Sequence, residues 1–499
     1  MLIWLILIPV LASALIGLLR TPGRATALTS ATLTLVLGVA AILVADICPD
    51  RAQILSHFCG RDLQFTLSLP LSNVMLLLTV VVTFAAILGM KAPDAAAERS
   101  WSISALLLSA GATGAFISDN VVAFYAFHEL ALIPTFVMIG FYGRGERRTI
   151  AWRATLYLGL ASMALLAGLI LMCMEIGSTS FMDIYKIMHN PLTCKLPISS
   201  CLISGLLLVG FGTLVSLFPF HSWAAPAYAS APTPIAMLHA GVLKKFGLYG
   251  LFLTGIVLGP CLQAVFGCWN NLLLVLLLGN VLWVGYVTVS QSRLDNMLGN
   301  SSVMHMGYIF LAFAAFVASN GTNLLAVKGA GVLMLAHGLS IAMLFLLTGQ
   351  IESRTRTLEL GSLGGLARKQ PTLGFLFGLA GMASIGLPLL ANFAGEFTIF
   401  ISCFDGWKPA EPAFECGLLN TISGWFGGLQ PVQLTLIFAL WGLVISAIYM
   451  LRAFRRIFEG EISPACERAT ALSRADVASA AVLGFFLLLF GIAPFLLFI

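Results

Sequence analysis

The sequence predicts an all-α polytopic membrane protein of about 14 transmembrane helices, and three observations support that fold class. Only 9% of its 499 residues are charged, while 59% are hydrophobic and the mean hydropathy is +0.99, a balance that belongs to membrane proteins. Apolar runs of the roughly 20 residues needed to cross a bilayer recur fourteen times, separated by short loops. Two of these runs, five apart in order, are broken at their centres. That pairing predicts two inverted five-helix repeats, with helices 7 and 12 discontinuous.

The spans fall near 1–19, 26–47, 71–90, 101–118, 119–142, 152–176, 199–219, 233–257, 269–289, 297–318, 324–349, 372–404, 431–451 and 475–499. The first, "MLIWLILIPVLASALIGLLR", lacks a basic leader and a small-residue cleavage site, so it reads as a span rather than a signal peptide. Residues 1-100 hold spans one to three. Residues 101-257 form the first five-helix repeat and residues 258-456 the second, inverted one. Residues 457-499 form a cytoplasmic loop and the last helix.

Of the 26 lysines and arginines, Lys244 and Lys245 lie within a span. Six (Arg51, Arg61, Lys186, Lys195, Lys328 and Lys408) fall on one side, and the other eighteen fall in loops after odd-numbered spans. The positive-inside rule then puts both termini on the outer, periplasmic side of a bacterial inner membrane. The net charge of +5 is dispersed in these loop clusters, so it argues for lipid contact and against nucleic acid.

The breaks are "GTLVSLFPFHSWAAPAY", with Pro219, His221 and Pro226, and "MASIGLPLLANFAGEF", with Gly386, Pro388, Asn392 and Gly395. Proline removes a backbone donor and clashes with the preceding turn. In a membrane the freed groups need protein or water to satisfy them. A lone kink of this kind is ordinary; two kinks in corresponding places point to a transport site at mid-membrane.

Ionisable side chains cluster at the same depth. "FYAFHELALIPTFVMIGFYG" places His128 and Glu129 inside span five. His239, Lys244 and Lys245 lie in span eight, His305 in span ten, Lys328 and His337 in span eleven, and Glu396 just past the second break. Singly, each could pair with a carbonyl or snorkel to the surface. As a set on consecutive spans they form a proton relay, because burial and neighbouring charge let such groups exchange protons near neutral pH.

The sequence has no phosphate-binding loop and no metal or cofactor ligand set, so no redox or nucleotide chemistry of its own is expected. The ten cysteines include no CxxC pair. Cys48, Cys59, Cys194, Cys201, Cys261, Cys268, Cys403 and Cys416 lie in or near outer loops. A periplasmic setting would permit disulfides there; otherwise these residues serve as small apolar fillers.

"AFHELALIPTF", "PFHSWAAPAYASAPTPIAMLHAGVLKKFGLYG", "SSVMHMGY", "LAHGLSIAMLFLLTGQIESRTRTLELGSLGGL" and "GLPLLANFAGEF" appear in order between about residues 100 and 460. Together they resemble the M (chain 4) type of antiporter-like subunit in proton-pumping NADH:quinone oxidoreductase, respiratory complex I. The resemblance implies a non-redox subunit of a large complex, with neighbouring L- and N-type subunits, and with FMN, iron–sulfur clusters and quinone on other chains. It implies proton-relay roles for Glu129, Lys245, Glu396, His221, His305 and His337, with Lys244 and His239 as additions.

One departure stands out. The family's span-seven lysine, seven residues before His221, is Leu214 here. The expectation is therefore that Glu129 couples to His239 or Lys244 instead. A smaller departure is the order of Arg293 and Asp295, exchanged relative to the family. The alternatives are an Mrp-type cation/proton antiporter or membrane-bound hydrogenase subunit, or a spacer that has lost transport.

Overall fold

The computed structural model describes residues 1–19, 21–47, 53–58, 61–67, 69–193, 196–405, 429–467 and 469–497. Ten helices among them are long and apolar enough to cross a membrane, and three shorter apolar helices, Trp4–Leu18, Ser200–Val215 and Pro371–Ile385, accompany them. The longest run, Thr233–Ser290, contributes two passages. Gly259 breaks it with φ +44°, and both arms pack against Ser200–Val215. Fourteen passages result, at the positions hydropathy gives.

Spans one to six are Trp4–Leu18, Gly23–Ile47, Pro70–Leu88, Ala95–Ile117, Val121–Tyr142 and Arg147–Ile176. Their starts follow local chemistry. Asp94 accepts from the Ala97 amide at 2.7 Å, and Asn120 accepts from the Val122 amide at 2.8 Å, satisfying donors that the first helical turn leaves open. Span seven is Ser200–Val215 followed by Ala224–Ser230, and span eight runs Thr233–Leu238, His239–Leu243 and Lys245–Leu258. Span nine comprises Leu262–Leu278, Gly279–Val284 and Gly285–Ser290.

Leu294–Ala318 and Leu324–Thr355 are spans ten and eleven. The apolar window of span eleven is wholly buried, against 33% for span two, so the core sits around spans ten and eleven. Span twelve is Pro371–Ile385 and Ala391–Ser402, span thirteen Pro431–Ala439 and Trp441–Phe458, and span fourteen Arg474–Ile492.

Two elements depart from the expected all-helical pattern. Gln53–Phe58 and Arg61–Phe65 pair antiparallel between spans two and three, where only a loop was expected. The hairpin joins the bundle through the Thr66 amide, which donates to Ile117 O at 2.8 Å. A short helix, Phe181–His189, is capped by Ser180 and packs against Lys245–Leu258.

Several of the basic loop residues are tied down by ion pairs. Arg144 meets Glu352 at 2.8 Å, Lys91 and Arg354 meet the buried Asp476 at 2.5 and 3.3 Å, and Arg293 meets Asp295 at 2.8 Å. The exchanged order of Arg293 and Asp295 thus still makes an ion pair. Cys201, Cys268 and Cys403 carry free thiols. Cys48, Cys59, Cys194 and Cys416 lie outside the described residues.

Candidate functional site

Both broken spans end their first half in a left-handed residue, Ser216 at φ 75° and Gly386 at φ 84°. At the first break, Asn280 of span nine answers the exposed backbone. Its Oδ1 accepts from the Phe218 amide at 2.7 Å, and its Nδ2 donates to Ser216 O at 2.9 Å and to Val303 O at 3.1 Å. Trp223 Nε1 adds a bond to Thr213 O at 3.1 Å. Irregular backbone at this depth is thereby satisfied by protein. At the second break the gap is occupied by a carboxylate, since a Cβ on Gly386 would collide with Glu396 Oε2.

Span eight contains a π turn at His239–Leu243 and span nine another at Gly279–Val284. Such turns add a residue to the helical circuit and concentrate at functional positions. The first places two adjacent lysines in different settings. Lys245 Nζ bends back to Ala240 O at 2.6 Å, on its own helix. Lys244 Nζ reaches across to Ser302 Oγ at 3.4 Å and lies 5.4 Å from the centre of the Tyr228 ring.

From Ser302 the polar line continues. Its hydroxyl pairs with His337 Nε2 at 3.2 Å, and the His337 and His305 rings lie 5.5 Å apart, centre to centre. His305 Nδ1 is 3.4 Å from Glu396 Oε1, close enough for an ion pair when the imidazole is doubly protonated, and its Nε2 meets Tyr449 OH at 3.2 Å. Tyr449 OH is also held by Ser301 Oγ at 2.6 Å. Every one of these residues is buried, at 2% exposure or less. The result is a file of titratable groups from Lys244 to Glu396, reaching the second break, in which the Ser302 hydroxyl joins Lys244 to His337.

The first half is arranged differently. Glu129 accepts a hydrogen bond from Ser162 and lies 3.9 Å from His128 Nδ1. Its side chain is 38% exposed. It opens onto a cavity of about 180 Å³ between spans five, six and eight, whose lining also includes His239. His239 sits edge-on to Tyr228 at 5.2 Å, beside the same ring that Lys244 overlies, and its ring is 5.7 Å from that of Trp223. His128 stacks on Phe246 at 3.9 Å, which stacks on Phe124 at 4.4 Å. Leu214 is buried in the apolar core.

The structure therefore brings together His239, Lys244, His305, His337 and Glu396, with Glu129 across a shared cavity and Lys245 bonded within its own helix. Two expected members stand apart. His221 is only partly buried and stacks on Phe218 at 5.4 Å, outside the bonded file. Lys328 is exposed one turn into span eleven, whose helix begins at Leu324. Pro219 and Pro388 lie in the breaks, as their chemistry dictates.

Ser302, Tyr449, Tyr228 and Asn280 are functional candidates that reasoning from charge missed. Ser302 could have been found, because it lies three residues before His305 and so shares its helical face. Tyr449 and Tyr228 carry no positional signal of that kind. No group of three His, Cys, Asp or Glu arranged to hold a metal occurs among the described residues.

Comparison with known proteins follows from this geometry. Residues 118–409 match the family model described as NADH:quinone oxidoreductase/Mrp antiporter, TM. An NAD(P)H-quinone oxidoreductase chain 4 of Microcystis aeruginosa is 31% identical over 393 residues, covering 78% of this chain and 65% of that relative. The chain thus spans just under two thirds of that relative's length. NADH-quinone oxidoreductase subunit M of Rickettsia prowazekii is 26% identical over 474 residues, covering 94% of this chain and 89% of the relative.

Among solved structures, a chain of respiratory complex I from Thermus thermophilus superposes with TM-score 0.83 at 26% identity, covering 99% of this chain and 96% of that one. A chain of the Mrp complex from Dietzia sp. superposes with TM-score 0.80 at 18% identity, covering 99% and 95%; at that identity the likeness is one of fold.

Proposed function

The chain belongs to the NADH:quinone oxidoreductase/Mrp antiporter transmembrane family, and from that premise we propose that it is a proton-translocating membrane-arm subunit of an NADH:quinone oxidoreductase. The observation that carries the reading is the buried file Lys244–Ser302–His337–His305–Glu396. Stranding this many ionisable groups in an apolar interior is costly, and the cost is offset when charge moves among them.

Each member suits a relay. A lysine or histidinium gives a proton, a neutral histidine or a carboxylate takes one, and a serine hydroxyl does both at once by accepting on one side while donating on the other. Quinone reduction on a partner chain changes the local charge. Glu129 loads from its cavity and shares that charge with His239, and Lys244, over the same tyrosine ring, passes a proton through Ser302 to His337. The proton then passes from His337 to His305, whose ring centres lie 5.5 Å apart. Glu396, at the second break, delivers the proton onward. His239 and Lys244 thus take the place of the cation absent at Leu214.

FMN, iron–sulfur clusters and quinone belong, on this reading, to other subunits, and this chain's neighbours are further antiporter-like subunits of the L and N type. It resides in a bacterial inner membrane with both termini periplasmic, as the distribution of Lys and Arg favours. The intact complex, purified from its native membrane and reconstituted in vesicles, tests the function. Glu129→Gln and Glu396→Gln are each expected to lower protons pumped per NADH oxidised. Unchanged stoichiometry in both would leave only a structural role. Copurification with small multi-span chains, and with no flavin or iron–sulfur subunits, would shift the assignment to a cation/proton antiporter.

A further inference from the structure

Cys201 lies in the first turns of Ser200–Val215, and Cys268 lies in the second turn of Leu262–Leu278. Both are exposed, and their Sγ atoms are 2.9 Å apart. The surroundings hold the pair in place. Trp269 Nε1 donates to Cys201 O at 2.8 Å, and the absent side chain of Gly205 leaves room for the Trp269 ring, 3.0 Å from where a Cβ would stand. Two helices from opposite halves of the chain are thus fixed in register at this end, with the two thiols facing each other.

We propose that Cys201 and Cys268 are oxidised to a disulfide on the outer face of the membrane. Closing the gap to the ~2.05 Å of an S–S bond requires less than about 1 Å of movement. The oxidant is a dithiol–disulfide donor of the kind an oxidising compartment supplies. The Cys201 thiolate attacks a donor sulfur to form a mixed disulfide, and one donor thiolate leaves. The Cys268 thiolate then attacks the Cys201 sulfur and expels the second. Two electrons and the two cysteine protons pass to the donor, which becomes a dithiol.

The bond would act on the broken helix. Asn280 of span nine already holds span seven at its break, and the disulfide would add a second tie between the same two spans at their outer end. The segment from Ser200 to Val215 then becomes a fixed post, and movement at the break is left to residues 217–230 on the inner side.

The proposal rests on the orientation proposed above, which puts this end in the periplasm. The test uses full-length chain in right-side-out membrane vesicles, denatured in N-ethylmaleimide without reductant and digested. The expected result is a linked peptide pair joining Cys201 to Cys268, with about a tenfold rise in labelling of both after reduction. In Cys268→Ser, Cys201 should label without reductant. Two singly alkylated peptides from the untreated wild type would overturn the proposal, as would Cys201 joined to another cysteine. A protease-cleavable tag at the N-terminus reads orientation separately. Cleavage from outside with no linked pair rejects the disulfide alone; cleavage only in inverted vesicles rejects the orientation and the disulfide with it.

Discussion

Two carboxylates mark the ends of the polar line, and the protein treats them differently. Glu396 is 3% exposed, 3.4 Å from His305, and set against the Gly386 backbone. Glu129 is 38% exposed and looks onto a cavity. A sealed carboxylate must exchange charge with the partner beside it, because no solvent reaches it. A half-open one exchanges with whatever fills the cavity, water or a neighbouring chain. The difference makes Glu396 the more committed of the two, and Glu129 the one whose behaviour depends on what covers it.

The strongest way to break this comparison is to neutralise both acids in turn. Glu396→Gln should reduce proton translocation about tenfold or more, the factor that about 1.4 kcal/mol on a transfer barrier produces, measured as acidification per NADH in reconstituted vesicles. Glu129→Gln should do less, since His239 remains in the cavity lining. Equal effects would show that exposure is irrelevant to role. Next come the paired lysines. Lys244→Met should approach the Glu396→Gln loss, whereas Lys245→Met, removing a bond to Ala240 O within its own helix, should cost about threefold. The reverse order would place the transfer line through Lys245.

Smaller again is the serine bridge. Ser302→Ala removes a hydroxyl and no charge, so transport should fall severalfold, in line with a hydrogen bond worth about 1 kcal/mol. Ser302→Thr should recover most of it, and an alanine variant that pumps normally would mean that Lys244 and His337 are joined another way. The smallest effect is expected at the Arg144–Glu352 ion pair. Arg144 and Glu352 are about a third exposed, so Arg144→Ala should lower stability by under about 1 kcal/mol and leave pumping unchanged. Thermal unfolding in detergent, with transport assayed in parallel, checks both.

The same contrast explains what could be read from the sequence. Spans were legible because bilayer thickness fixes their length, and the breaks were legible because proline and glycine announce them locally. Glu129, His305, His337 and Glu396 stood out as charges where charge is costly. The hairpin at Gln53–Phe58 escaped, since five or six residues in a short loop leave no hydropathy signature. The π turns escaped too, because packing against neighbours sets them rather than composition. Ser302 and Tyr449 were invisible to a search for ionisable groups, although the Ser302 hydroxyl makes a junction of the file.

The π turn at His239–Leu243 has a further effect on how span eight is read. One surplus residue in the coil rotates everything after it by about 100°, so a helical wheel drawn straight through this segment puts the wrong faces outward. Which of the twin lysines meets span ten is then decided by that local underwinding and not by its rank in the motif. Deleting a single residue from the turn would be expected to swivel the rest of the helix and trade their places.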